Sequence, residues 1–278
     1  MSQAGSIRSA PAPPLLASIL LPLSWAGMMA AQGIAFRAGV GLRATLFLAE
    51  LTLAAPGVLA LLLLGRELWR ALGLERPEPR LAALALWSGA AFWTASLGLF
   101  ELQYTVWPPP PGFLEAFRLL HQALRPAGPL DALLSVAAIA VAPAVCEEIL
   151  FRGVVLPSFL RSLGAAGAIL ASAVLFGLIH LDATSASALT AYRVPFALAV
   201  GVGLGVLRVR TGSLWPPLIA HATLNTITFA IAPFAADPAQ GLPPPEPWKG
   251  AGLLVLGLAG FHFAMRWLRG SRRSSGSC

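Results

Sequence analysis

Glu147 and Glu148 are adjacent carboxylates, and Arg152 follows four residues after the second. Both acids sit inside the otherwise uncharged run from Ala132 to Leu150. An ionisable side chain at the centre of a bilayer costs about 2.5–3.5 kcal/mol on insertion scales, so three within six residues require partners or a task. Spacing divides the work. Glu148 and Arg152 stand i,i+4 with the acid first, the favourable order for an ion pair on one helix face. Glu147 is turned by about 100°, onto the face of Pro143, Ala144, Phe151 and Val154, where it is free to meet another group. Downstream, Phe176 and His180 share one helix face and His221 and Asn225 another, each pair at i,i+4. Taken singly, each histidine reads as a hydrogen-bonded buried residue and the charges as a helix-packing cluster. Together with Glu147 they have the makings of an acid–base site.

The elements that must position these residues are membrane helices. Of 278 residues, 57% are hydrophobic and 11% charged, against a charged fraction of about 25% in soluble domains, and the mean hydropathy is +0.75. Apolar stretches near 14–35, 44–64, 81–104, 131–155, 165–181, 186–207, 213–233 and 250–268 each approach the roughly 17–25 residues a span needs. The expectation is an all-α polytopic bundle of about eight spans. Residues 1–130 would be an N-terminal scaffold, 131–233 the catalytic core, and 234–278 a last span with a basic tail. The stretch from Pro14 to Phe36 exceeds the apolar region of a signal peptide and reads as a retained span. The first three spans read as free of deep ionisable residues, serving as scaffold or substrate access.

The net charge of +7 excludes nothing until its placement is considered. Arg66, Arg70, Arg76 and Arg80 fall in one loop, Arg208 and Arg210 in another, and Arg266, Arg269, Arg272 and Arg273 close the chain. That is a positive-inside pattern and not a phosphate-binding surface, so no nucleic-acid partner is expected and both termini are assigned to the cytoplasm. Cys146, an apolar-buried thiol, reads as packing, and Cys278 is unexplained. Pro108 to Pro111 lead into a segment with Phe113, Phe117, Leu120 and Leu124 on one face, an interfacial amphipathic helix.

Depth can be counted. If the chain reverses near Gly164, Glu147 lies 17 residues before the turn and His180 lies 16 after it, so antiparallel limbs bring both to one level, about 25 Å from the turn. Between the histidines, Ala197, Gly201 and Gly205 form a small-residue ladder that admits a close helix neighbour.

The joint pattern Glu147-Glu148-x-x-x-Arg152, Phe176-x-x-x-His180, a small-residue helix and His221-x-x-x-Asn225 resembles the CPBP family of intramembrane proteases, which includes the type II CAAX prenyl endopeptidases and the bacterial Abi proteins. The resemblance covers roughly 131–230. Gly153 and the Ser213-Leu214-Trp215-Pro216 approach also look like the family, whereas Ala197 stands where the family often has Phe. The resemblance implies a glutamate-type endopeptidase with a water-accessible cavity, acting on a membrane-anchored protein or peptide. Glu147 would activate water with help from His180, His221 and Asn225 would donate to the oxyanion, and Glu148 and Arg152 would be the supporting pair. No cofactor is expected. The alternatives are a zinc-dependent version of the same protease, a proton-coupled transporter, and a non-catalytic membrane scaffold or immunity protein. The Ala, Pro and Arg richness points to a GC-rich bacterial genome, hence the bacterial inner membrane.

Overall fold

The computed structural model describes residues 14–75, 78–181, 188–231 and 242–274, without the side chains of 188–189 and 271–274. Arg76, Cys278, the boundary at 233/234 and the side chains of Arg272 and Arg273 lie outside the described residues.

The described residues are mostly helical, and no strand occurs among them. The helices are α1 (Pro14–Arg37) and α2 (Leu42–Leu63), a short α3 (Leu68–Leu72) and the long α4 (Pro79–Val106), and α5 (Phe113–Ala123). Helix then runs for 50 residues, Pro129–Leu178, but Gly164 within it has φ 65° and ψ −179°. That conformation suits a residue without Cβ, and here the chain turns back. The run is therefore two limbs, α6 (129–163) and α7 (165–178). After them come α8 (Ala188–Ala191), α9 (Val194–Thr211), α10 (Trp215–Ile231) and α11 (Pro247–Ser274). Among the described residues six helices are long and apolar enough to cross a membrane, the bent 50-residue run counted once; α10, at 17 residues, is marginally shorter.

The reversal has the register expected of it. Phe151, 13 residues before Gly164, meets Phe176, 12 residues after it, edge to face at 5.1 Å, and the Ser172 hydroxyl donates to the Phe151 carbonyl at 3.4 Å. Glu147 and His180 thus stand at nearly the same level.

Helix α6 is the axis of the bundle: α2, α7, α9 and α10 all pack on it, while α1 lies on α2 and α4 runs along α10 and α11. Leu21, Met28, Ala49 and Leu53 interlock with Leu150, Phe151, Phe176 and Ala197 in one cluster, and Leu81, Leu84, Phe92, Leu204, Leu207 and Met265 form another. In lipid these contacts gain little from water exclusion, so close packing and hydrogen bonds carry helix association. A Cβ at Gly98 would lie 2.3 Å from the Leu254 backbone nitrogen, which shows how tightly α4 meets α11. Leu15, Ile19, Leu23, Leu62, Val255, Leu256 and Phe263 point outward, the apolar surface of an integral membrane protein.

Helix α6 is not uniform. Ala137–Val141 and Ile149–Val155 are π-helical turns, and Pro143 and Pro157 lie just beyond them. Each proline lacks the N–H that an α-helix would use there. At the second turn the Leu156 N–H bonds the Phe151 carbonyl, leaving the Arg152 carbonyl without its α-helical donor. The acid pair sits between these two irregular turns.

Candidate active site

Glu148 is fully buried, as is Arg152. Arg152 Nη1 donates to Glu148 Oε1 at 2.6 Å and Nη2 to the Gly201 carbonyl at 3.0 Å. The guanidinium also lies 4.5 Å from the Phe176 ring centroid, a cation–π contact that offsets part of its desolvation. Gly201 has this role because α9 comes so near: a Cβ there would lie 3.1 Å from Ala173 Cα and 3.2 Å from Phe176 Cδ1.

His221, on α10 and 5% exposed, connects both acids. Its Nδ1 bonds Glu148 Oε1 at 3.1 Å; a carboxylate already paired with Arg152 accepts, so the proton is on Nδ1. Its Nε2 faces Glu147 Oε2 at 3.7 Å. His221 was expected to pair with Asn225 as an oxyanion donor, but one of its nitrogens is committed to Glu148. Asn225 Nδ2 makes only a 3.5 Å contact with the Ala140 carbonyl, at the first π-turn.

His180 is at the end of α7, with Nδ1 bonded to the Phe176 carbonyl at 2.8 Å. A carbonyl can only accept, so this bond leaves Nε2 as the uncommitted nitrogen. Its ring is 5.0 Å from that of Phe176, which in turn is 5.8 Å from that of His221. Phe176 thus contacts both imidazoles, and no hydrogen bond or ion pair joins His180 to Glu147. Cys146 is buried and free.

Two residues escaped the sequence reading. Arg208, assigned there to a cytoplasmic loop, is in α9 and 2% exposed. Its Nε donates to the Arg152 carbonyl at 3.1 Å, satisfying the acceptor released by the π-turn, and its Nη1 bonds the Gly212 carbonyl. The signal was available: Pro157 leaves a carbonyl upstream in need of a donor. Glu50 corrects the statement that the first three spans hold no deep ionisable residue. It lies in α2, and its Oε2 is buried without a hydrogen-bond partner. It is the one ionisable residue between Ala44 and Leu64, which marks it in the sequence.

Among the described residues no three His, Cys, Asp or Glu side chains gather as a metal ion requires.

A buried acid pair, a buried arginine and two histidines thus lie close together among the helices of an all-helical bundle. Residues 129–227 match the family model described as Rce1-like, type II CAAX prenyl endopeptidase Rce1-like, and this segment belongs to the CPBP/CAAX protease family. No curated protein and no solved structure matches the chain. The helices are those of an integral membrane protein, and within it residues 129–227 are similar to a family of CAAX-type proteases.

Proposed function

We propose that the chain hydrolyses a peptide bond of a membrane-anchored protein or peptide with water activated by Glu147 and without a metal. The observation that carries this reading is the 3.7 Å separation of Glu147 Oε2 and His221 Nε2. It is too long for a direct hydrogen bond, and one water can lie about 2.8 Å from both atoms. A carboxylate in apolar surroundings is a stronger base than one in water. Glu147 takes a proton as the water oxygen attacks the carbonyl carbon, and returns it to the leaving amine. His221 holds the far side of the water, and Glu148 with Arg152 holds His221. His180 steadies the water through Nε2. Asn225, held only by a long contact, is the donor able to turn to the oxyanion.

Both termini are placed in the cytoplasm and the protein in a bacterial inner membrane. With Arg208 removed from the cytoplasmic count, the orientation rests on Arg66, Arg70, Arg80, Arg210, Arg266 and Arg269.

The test compares membrane proteomes of cells expressing wild type or Glu147→Gln, reading new C-termini. Termini that require Glu147 and survive chelation are expected. Equal termini in a well-folded Glu147→Gln variant overturn the glutamate base, and chelator-sensitive cleavage restored by zinc overturns the metal-free step.

A further inference from the structure

Arg208 takes no part in the chemistry above, yet it is buried in the last turn of α9. The need for it follows from the backbone of α6. In the second π-turn the Leu156 N–H bonds the Phe151 carbonyl, so it is not available to the Arg152 carbonyl. The next residue, Pro157, has no N–H with which to continue the π pattern. The Arg152 carbonyl is thus deprived of an α-helical and a π-helical donor alike, and a buried carbonyl left unpaired is costly. Arg208 Nε fills that place at 3.1 Å.

The other end of the same guanidinium, Nη1, bonds the Gly212 carbonyl in the turn from which α10 starts. A third element closes over it. A Cβ at Gly73 would lie 2.7 Å from Arg208 Nη1 and 3.0 Å from Nη2; glycine, here at φ 70°, leaves the guanidinium its room. The Gly73 carbonyl accepts from the Leu214 N–H at 3.0 Å and from the Ser213 hydroxyl at 3.2 Å, and Trp215 Nε1 donates to the Glu75 carbonyl at 2.9 Å. Leu72 of α3 seats against Gly153, where a Cβ would lie 2.6 Å from Leu72 Cδ2. One side chain therefore joins the π-turn that contains Arg152 and follows Glu148 to the turn that launches His221, nine residues beyond Gly212.

A π-turn offsets the side chains before it from those after it by about 100°, one residue's rotation. Without Arg208 the turn relaxes toward α-helix, the Leu156 N–H moving to the Arg152 carbonyl, and Glu148 turns away from His221 Nδ1, which it meets at 3.1 Å. We infer that Arg208 is a positioning residue of the active site: by bonding the Arg152 and Gly212 carbonyls together it holds the rotation of α6 at which Glu148 fixes the His221 ring toward Glu147. This rests on the reading of Glu147 and His221 as the groups that hold the water. Arg208 touches neither water nor substrate, and no proton passes through it.

The test needs no known substrate. Nitrogen NMR spectra of the purified full chain, labelled at histidine, report which ring nitrogen carries the proton, and the His221 signal is the one that His221→Gln removes. Wild type should show His221 protonated at Nδ1 alone; Arg208→Met, of similar length and without a donor, should show both tautomers. Arg208→Lys keeps the charge but offers its donors from a single atom, so it does not span the two carbonyls as Nε and Nη1 do, and should fall between. A merely structural role lowers the melting temperature and leaves the His221 signal of the folded chain unchanged. That result in Arg208→Met, or in Arg208→Lys where the Met variant does not fold, overturns the inference. In cells, Glu147-dependent termini should form about tenfold more slowly in Arg208→Met, the worth of a hydrogen bond from a charged group, with a smaller loss in Arg208→Lys. A packing role gives the opposite order, since Met suits an apolar helix better than Lys; that order, or no loss in either, overturns the inference. If the His221 signal behaves as expected but no Glu147-dependent termini exist, the protease mechanism fails and the positioning of His221 stands.

Discussion

His221 Nε2 stands 3.7 Å from Glu147 Oε2, joined by no direct hydrogen bond, while the opposite ring nitrogen is fixed to Glu148. The imidazole is therefore held in one tautomer and one orientation by a group that is itself locked in an ion pair. A ring held this way presents its second nitrogen at a constant distance from Glu147.

His221→Ala removes both the nitrogen facing Glu147 and the partner of Glu148. Processing should fall by about 10²–10⁴-fold, the usual worth of a positioned acid–base group. Quantifying the Glu147-dependent termini over time checks this. Rates within threefold of wild type would remove His221 from the mechanism.

Arg152→Ala leaves the fully buried Glu148 without its cation, a loss typically worth about 3–5 kcal/mol, and strips the Gly201 carbonyl of a donor as well. Thermal stability in detergent should drop along with activity. The neutral pair Glu148→Gln with Arg152→Met should recover much of the stability. A fully stable but inactive Arg152→Ala would instead move Arg152 to a role in binding substrate.

Gly201→Val forces a side chain against Ala173 and Phe176, where even a Cβ has 3.1–3.2 Å. Overpacking of this kind costs about 1–3 kcal/mol. Because α9 must retreat, the bond from Arg152 Nη2 to the Gly201 carbonyl lengthens, and activity should fall more than stability does. Measuring melting temperature and product formation on the same preparation separates the two effects.

Single cysteines introduced beside Arg70 and Arg269 should resist an impermeant thiol reagent added outside intact cells and react once the membrane is opened. The positive-inside distribution carries this expectation. Efficient labelling of both from outside would invert the orientation.

Much of this molecule is legible one helix at a time. Apolar length marks the helices, and i,i+4 spacing places Glu148 with Arg152. Counting from Gly164 puts Glu147 and His180 at one level, because rise per residue is constant along a helix. The amphipathic segment at Phe113 is a helix too, but it is more than a surface connector: Phe113 packs on Tyr192 at 5.0 Å and His121 stacks on Phe229 at 5.7 Å. Those contacts tie it to the flanks of α9 and α10, which its own periodicity had no means of specifying.

What the sequence determined by itself is therefore most of the helices, together with a set of candidate residues and their relative levels along those helices. The tertiary structure decided how each helix is rotated about its axis and which neighbour completes it. Hydropathy in a bundle is nearly the same on all faces, so it does not encode that rotation; packing of small residues and satisfaction of backbone carbonyls do. This is why Arg208 left its apparent loop for the Arg152 carbonyl and why His221 joined Glu148.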